Sequence, residues 1–322
     1  MAGVGSHVAA MVRAYGAGDD ENFYSVALQV AAREAKAGHH VLAGDIKKAV
    51  DSSRERQPLS NVTFIRRPAG DVAELVDTSA PQVKLQDLVV NPALLAQIKQ
   101  VLSEQRQRKT LLDHGFTPVH RLLFEGPPGT GKTMTAAVLA SELSLPLVSV
   151  RLDSLLSKYM GETAAKLRLV FDEVARVRAV YLFDECDALG ADRSGNDVGE
   201  ARRILNSFLV FLEEASSQSL VIAATNDRAI LDRALFRRFD AVLTYELPDA
   251  RQAVSVMKAR LGSLVTGVSM AKLGEYTTGL SHAEIVKAAE SAAKTVLLRG
   301  ESRVSREDLI AALVARKAAS FE

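Results

Sequence analysis

The chain has 322 residues, 48% of them hydrophobic and 25% charged, and 40 basic residues nearly cancel 39 acidic ones to leave a net charge of +1. This is the composition of an ordinary soluble globular protein with room for two or three compact units, and the charge balance gives no support for a dedicated nucleic-acid binder. The one cysteine, Cys186, excludes an internal disulfide framework and a cysteine-based zinc site, and it makes a reducing cytosol the expected compartment.

The opening residues, MAGVGSHVAAMVRAYGAGDD, contain no basic segment followed by a long apolar run, so no signal peptide is expected. No stretch approaches the ~20 apolar residues of a membrane helix. The expectation is a cytoplasmic protein with no membrane partner.

Residues 3 to 52 read as helices throughout. GSHVAAMVRAYGAG is a short one that ends at glycines. DDENFYSVALQVAAREAKAG has an aspartate cap, acids in its first turn and a glycine stop, with Phe23, Val26, Ala27, Val30 and Ala31 at helical spacing. HHVLAGDIKKAVDSS is the third. A helical N-terminal domain is therefore placed at 1–57, too small to be very stable alone and suited to docking. Residues 58–84 hold several prolines and no sustained period, with VTFI as one short strand; they are expected to be a linker with some local structure.

From residue 85 the pattern becomes α/β. QDLVVNPALLAQIKQVLSEQRQRKTLLDHG is a short apolar entry and a long amphipathic helix. Apolar runs then alternate with helical ones, and strands are expected at 121–126, 146–152, 179–185, 220–226 and 241–247. Such alternation argues for a mostly parallel sheet between helices. After Pro248 only helices are expected, as a separate C-terminal helical domain at 249–322; the α/β domain spans 85–248.

GPPGTGKT at 126–133 follows a predicted strand and opens a helix, which is the context that G-x-x-x-x-G-K-[ST] requires. Glycines let backbone N–H groups turn toward phosphate oxygens, and the following helix adds its positive end. The candidate nucleotide-binding residues are Pro128, Gly129, Thr130, Gly131, Lys132, Thr133 and Met134, with Lys132 on the β- and γ-phosphates and Thr133 on Mg²⁺. VYLFDECD at 180–187 is a buried strand that ends in two carboxylates. Because strand neighbours point to opposite sides, Asp184 is expected to face Mg²⁺ and Glu185 the attacking water. An intact Glu185 favours hydrolysis of ATP over a nucleotide-binding switch, and Cys186 reads as a small buried side chain.

The segments that follow narrow this reading. LVIAATN resembles the sensor-1 strand of AAA ATPases, LDRALFRRFD the segment that carries their arginine fingers, and GLSHAEIVKAAESA their lid motif. The resemblance covers residues 85 to 322. It implies a P-loop NTPase AAA module with a helical lid. In such a module Asn226 holds the attacking water, and Arg237 and Arg238 reach the γ-phosphate of a neighbouring subunit in a homo-oligomeric ring, most simply a hexamer. His282 replaces the lid motif's usual glycine; its ring either lies near the adenine or ribose or caps the helix.

SKYMGET at 157–163 falls after the second core strand, where AAA unfoldases carry the pore loop that grips a threaded polypeptide. The resemblance gives that role to Lys158, Tyr159 and Met160. Tyrosine offers a large flat contact with few rotors and methionine a tolerant one, while Lys158 can attract acidic segments. The function implied is ATP-driven unfolding or remodelling of protein, in some relatives of this shape for a separate protease or adaptor met through the N-terminal helices. The alternative is an AAA ATPase acting on nucleic acid, a clamp- or helicase-loader type. That type has no need of an aromatic residue in KYMGE, and no basic run supports it.

Overall fold

In the computed structural model each of the five apolar runs expected as strands from residue 121 on is one, each slightly shorter than anticipated. Strand β1 is Val76–Ser79, and the expected runs give β2 Arg121–Glu125, β3 Leu147–Val150, β4 Val180–Phe183, β5 Leu220–Thr225 and β6 Ala241–Thr244. The structure describes residues 20–56, 70–155, 162–189, 198–226, 236–265, 268–270 and 272–320. The chain divides into two compact units, Met1–Val62 and Thr63–Glu322.

In the first unit, α1 (Asp20–Lys36) and α2 (His40–Arg56) form an antiparallel pair with Val26, Ala27, Ala31 and Val50 buried. Gly38 ends α1 at φ 90°, a conformation that suits glycine, and the His39 N–H then reaches back to the Glu34 carbonyl at 2.9 Å. The His39 ring also meets the Glu34 carboxylate at 2.7 Å. The helix expected from GSHVAAMVRAYGAG and the strand expected at VTFI lie outside the described residues.

The second unit is built on a six-stranded sheet in the order β1-β3-β4-β5-β2-β6, in which β1 runs antiparallel to β3 and all other neighbours are parallel. Helices α3 (Pro92–Arg106), α4 (Arg108–Asp113), α5 (Lys132–Glu142), α6 (Leu152–Leu155), α7 (Glu162–Arg176) and α8 (Val198–Glu214) belong to this part of the unit. Successive strand residues serve opposite faces. On one face Leu123, Tyr181 and Phe183 pack with Phe171 of α7 and Phe208 of α8. On the other, Leu122, Phe124, Val180 and Leu182 pack with Ile98 of α3 and Leu139 of α5. Both faces are covered, so β4 and β5 are buried at every position. This is why they read as unbroken apolar runs rather than as alternations.

The stretch expected as a linker needs correction at its end. Residues 76–79 pair with β3 over their whole length, and the Arg151 N–H reaches the Leu75 carbonyl at 2.8 Å. Only Val76 of the strand is buried. An edge strand needs hydrogen bonds on one side only, and VDTS carries too little apolar character to announce it.

The C-terminal helices are α9 (Ala250–Leu261), α10 (His282–Leu298) and α11 (Arg306–Ser320). They share a core of their own with Met257, Leu273, Ile285, Ala289, Val296 and Leu309, but they belong to the same compact unit as the sheet, and Val89 packs against that core. Asp249 caps α9 and Ser281 caps α10, each with a reciprocal bond from the residue three positions on, Gln252 and Glu284.

The strand order has one consequence for function. β4, β5 and β2 lie side by side and parallel, so the segments after them emerge at one edge of the sheet. Those segments are Asp184–Glu185, Asn226 and the 126–131 loop. Ligands of open α/β sheets bind at this edge.

Candidate nucleotide-hydrolysis site

The loop between β2 and α5 turns sharply where glycine is required. A Cβ on Gly126 would lie 2.3 Å from the Tyr245 carbonyl oxygen, and one on Gly129 2.7 Å from Ser281 Oγ. Both have positive φ. Thr130 is buried and its hydroxyl donates to the Pro127 carbonyl at 2.7 Å. Pro128, Gly129, Thr133 and Met134 are exposed along the loop and the start of α5.

Lys132 is the centre of the arrangement. It is only 5% exposed, and its Nζ donates to the Gly126 carbonyl (2.7 Å), the Pro127 carbonyl (2.9 Å) and Asn226 Oδ1 (2.9 Å). A lysine ammonium has three N–H donors, and here all three go to uncharged oxygens. Among the described residues no carboxylate pairs with it. Burial pulls its pKa below the ordinary lysine value, while the more distant Asp184, Asp187 and Glu185 pull the other way. A buried cation held only by neutral groups favours an anion, which fits the phosphate expected of the motif.

Thr133 Oγ1 donates to Asp184 Oδ2 at 2.6 Å, so the two side chains expected at the metal are adjacent. A hydroxyl and a carboxylate are hard oxygen donors. Mg²⁺ bound through few protein ligands suits this pair, since it keeps several waters and takes the rest from phosphate. Among the described residues there is no cluster of three His, Cys, Asp or Glu that could hold a metal by itself.

The expected separation of Asp184 and Glu185 by strand alternation is corrected. β4 ends at Phe183, and the two acids occupy a turn in which Glu185 adopts φ 53°. The Glu185 N–H donates to Asp184 Oδ1 at 3.0 Å, and its own side chain is exposed. A left-handed backbone at a non-glycine residue is uncommon, and here it places Glu185 in a turn rather than on the pleat. Cys186 is buried, and burial first, with Asp187 and Asp184 adding to it, pushes its thiol pKa far up, in keeping with a small buried side chain.

The helix-capping alternative for His282 is also corrected. Ser281 is the cap, and its Oγ accepts from the Glu284 N–H at 3.3 Å. His282 instead lines a pocket with Val90, Asn91, Leu94, Thr130, Tyr245 and Gln252. Its ring nitrogens are buried without a hydrogen bond of good geometry, and burial, opposed by the Val89 backbone, lowers its pKa. One residue on, the Ala283 N–H donates to the Gly129 carbonyl at 3.0 Å, so the first turn of α10 touches the phosphate loop directly.

Arg237 and Arg238 sit in a short turn before β6. Phe236 and Phe239 on either side pack into the core. Asp240, which the sequence reading passed over, fixes the turn to the start of β2: it accepts from the backbone N–H of His120 (3.0 Å) and Arg121 (2.9 Å) and from Arg121 Nε (3.0 Å) and Nη2 (2.5 Å). Arg238 pairs with Glu213, and Arg237 is exposed. Lys158, Tyr159 and Met160 lie outside the described residues, between α6 and α7.

The model of the AAA family, ATPases associated with various cellular activities, matches residues 122–247. An uncharacterized AAA family ATPase of Sinorhizobium fredii, y4kL, is 32% identical over 300 residues, covering 92% of this chain and 91% of that protein. The chain belongs to the AAA ATPase family. The ATPase family protein 2 homolog of Caenorhabditis elegans is also 32% identical, over 254 residues, but these cover 74% of this chain and 35% of that protein. As an AAA ATPase the protein binds and hydrolyses ATP, and members of this family are typically oligomeric. Among the described residues no helix is long and apolar enough to cross a membrane.

Two outcomes follow from this geometry. Burial by itself would raise the Asp240 carboxyl, but hydrogen bonds from His120 and Arg121 overcome it and hold the group well below the usual carboxylate range. Its stabilisation is complete above that range and declines as pH falls toward the depressed folded value. Asp240→Asn should therefore destabilise the protein by about 1–3 kcal/mol at neutral pH, and in denaturation the difference from wild type should shrink below about pH 4. Glu185→Gln should bind ATP with near wild-type affinity in equilibrium titration while single-turnover hydrolysis falls by roughly 100-fold or more.

Proposed function

We propose that this AAA ATPase works as a ring, most simply a hexamer, that remodels or unfolds protein by drawing polypeptide through a central pore. The observation that carries the reading is the arginine turn. Arg237 is exposed on a segment anchored at both ends by Phe236, Phe239 and Asp240, and among the described residues it has no partner in its own chain. A rigidly presented, unpartnered arginine suits charge on a nucleotide held by another subunit.

In this reading Lys132 and the loop from Pro128 to Met134 hold the phosphates. Thr133 and Asp184 would hold Mg²⁺, which would supply charge neutralisation at the phosphates. Glu185 takes a proton from the attacking water. Asn226 leaves Lys132 to orient that water when Lys132 turns to the γ-phosphate. The arginine turn of the neighbour stabilises charge developing on the transferred group. His282, which lines a pocket with Thr130, would face the nucleoside. Loss of the γ-phosphate removes the contact between subunits, and the Ala283–Gly129 bond passes the change to the lid.

The segment Lys158–Tyr159–Met160 joins α6 to α7 on the chain that leaves β3, and it supplies the grip on substrate. Leu155, at the end of α6, is buried, and α7 begins at Glu162. The substrate class is extended polypeptide, because an aromatic side chain can intercalate without demanding a sequence. Action on nucleic acid has no comparable support, given the balanced charge and the aromatic residue at 159. A separate protease or an adaptor bound through the helices of the first unit would supply the purpose.

Two measurements test the proposal. Turnover per subunit should rise with protein concentration across the assembly range, and a concentration-independent turnover would contradict action between subunits. Tyr159→Ala should keep ATPase activity within about threefold, yet lose unfolding of a tagged fluorescent substrate; full unfolding by this variant would sink the threading mechanism.

A further inference from the structure

We infer that the two adjacent arginines do different work: Arg237 is the residue that reaches the neighbouring nucleotide, and Arg238 is a positioning residue held in its own subunit by Glu213. This rests on the reading that the arginine turn acts between subunits, and it assigns Glu213 a part in that reaction.

Three observations carry it. Arg238 forms an ion pair with Glu213 near the C-terminus of α8, whereas Arg237 is exposed and, among the described residues, unpaired. The end of α8 is a place that calls for a cation. Its last turn carries Glu213 and Glu214 and no basic residue, where carboxylates oppose the negative end of the helix dipole. Arg238 is thus drawn toward its own chain by the Glu213 carboxylate and by the helix end together. The third observation is the framing of the pair. Phe239 is 8% exposed, Phe236 is partly buried against the same core, and Asp240 is clamped to Arg121. A turn fixed this firmly cannot easily swing both guanidinium groups outward at once. With Arg238 tethered to α8, the backbone around Arg237 is held and its side chain is presented to solvent.

α8 also packs against α7 and the β4–β5 face of the sheet, and those two strands lead directly into Asp184 and Asn226. The Glu213–Arg238 pair therefore ties the presented arginine to the same strands that carry the subunit's own hydrolytic residues.

The test compares single-turnover and steady-state ATP hydrolysis by full-length variants, each checked for assembly, nucleotide affinity and Tm. Arg237→Ala should lose at least ~10³-fold in kcat, the worth of an arginine finger, with affinity, assembly and Tm retained. Arg238→Ala and Glu213→Gln should each lose only about two- to fivefold, as expected of an exposed ion pair, in kcat and not in KM. The double variant should lose no more than either single one. Arg238→Lys keeps the pair and should restore the rate; Arg237→Lys, deprived of the planar fork, should not. Exchange of the charges, Glu213→Arg with Arg238→Glu, should recover most of the loss.

If Arg238→Ala falls by ~10³-fold while Glu213→Gln stays at wild type, Arg238 itself reaches across and the division of labour is wrong. If both Arg238→Ala and Glu213→Gln match wild type, the pair positions nothing and the inference is likewise overturned. The underlying reading is tested separately by mixing Arg237→Ala with Glu185→Gln. Each is inactive alone, and mixed assemblies should regain hydrolysis, because an intact arginine is delivered to an intact site. No recovery on mixing would overturn action between subunits, whatever the Arg238 and Glu213 variants do.

Discussion

The site depends on one buried ammonium group. Lys132 spends its three donors on the Gly126 and Pro127 carbonyls and the Asn226 amide, so its hydrogen bonding is complete while its charge is not neutralised by contact. Taking a charge out of water without a counter-ion is costly, and the fold accepts that cost at the mouth of its sheet. Much else is arranged around this point. The turn of the phosphate loop allows the two carbonyls to face the lysine. The placing of β5 beside β2 brings Asn226 to it. Asp184 and Glu185 attract it from the end of β4 without touching it.

The same contacts suggest how nucleotide is sensed. A phosphate that draws Lys132 away releases Asn226, which lies at the end of the strand joining β4 to β2. On the far side of the loop, the Gly129 carbonyl holds the Ala283 N–H, and Ser281 closes over Gly129 so tightly that no side chain fits there. The phosphate loop is thus in contact with the first turn of a lid helix whose own core is separate from the two cores flanking the sheet. Small movement at the loop has a direct mechanical route to that helix.

Much of this was legible in the sequence. VYLF and LVIAAT had to be buried strands because nothing in them could face water, and GPPGTGKT between a strand and a helix left little freedom in the loop. What escaped was of two kinds. β1 was missed because an edge strand of mixed polarity, VDTS, has neither the alternation nor the apolar run that marks a strand. The Glu185 turn was missed because period-two reasoning holds only while the strand continues, and β4 stops at Phe183. Asp240 and Glu213 have roles that arise from partners 119 and 25 residues away along the chain, and only tertiary structure brings those together. Two acids at the end of a long helix, with no base beside them, were still a signal that a cation would come from elsewhere.

The central claim is that Lys132 is a buried cation awaiting a phosphate, and thermal unfolding of wild type and Lys132→Met tests it most directly. With Mg²⁺ and a slowly hydrolysed ATP analogue at ~100 times its Kd, wild type should gain about 2.7 kcal/mol of stability and unfold several degrees higher, while adenosine should do little. Lys132→Met keeps the length of the side chain and removes the charge, so without nucleotide it should be as stable as wild type or more so, and it should show no shift with the analogue. A Lys132→Met protein that is markedly less stable without ligand, or that still responds fully to the triphosphate, would contradict the account.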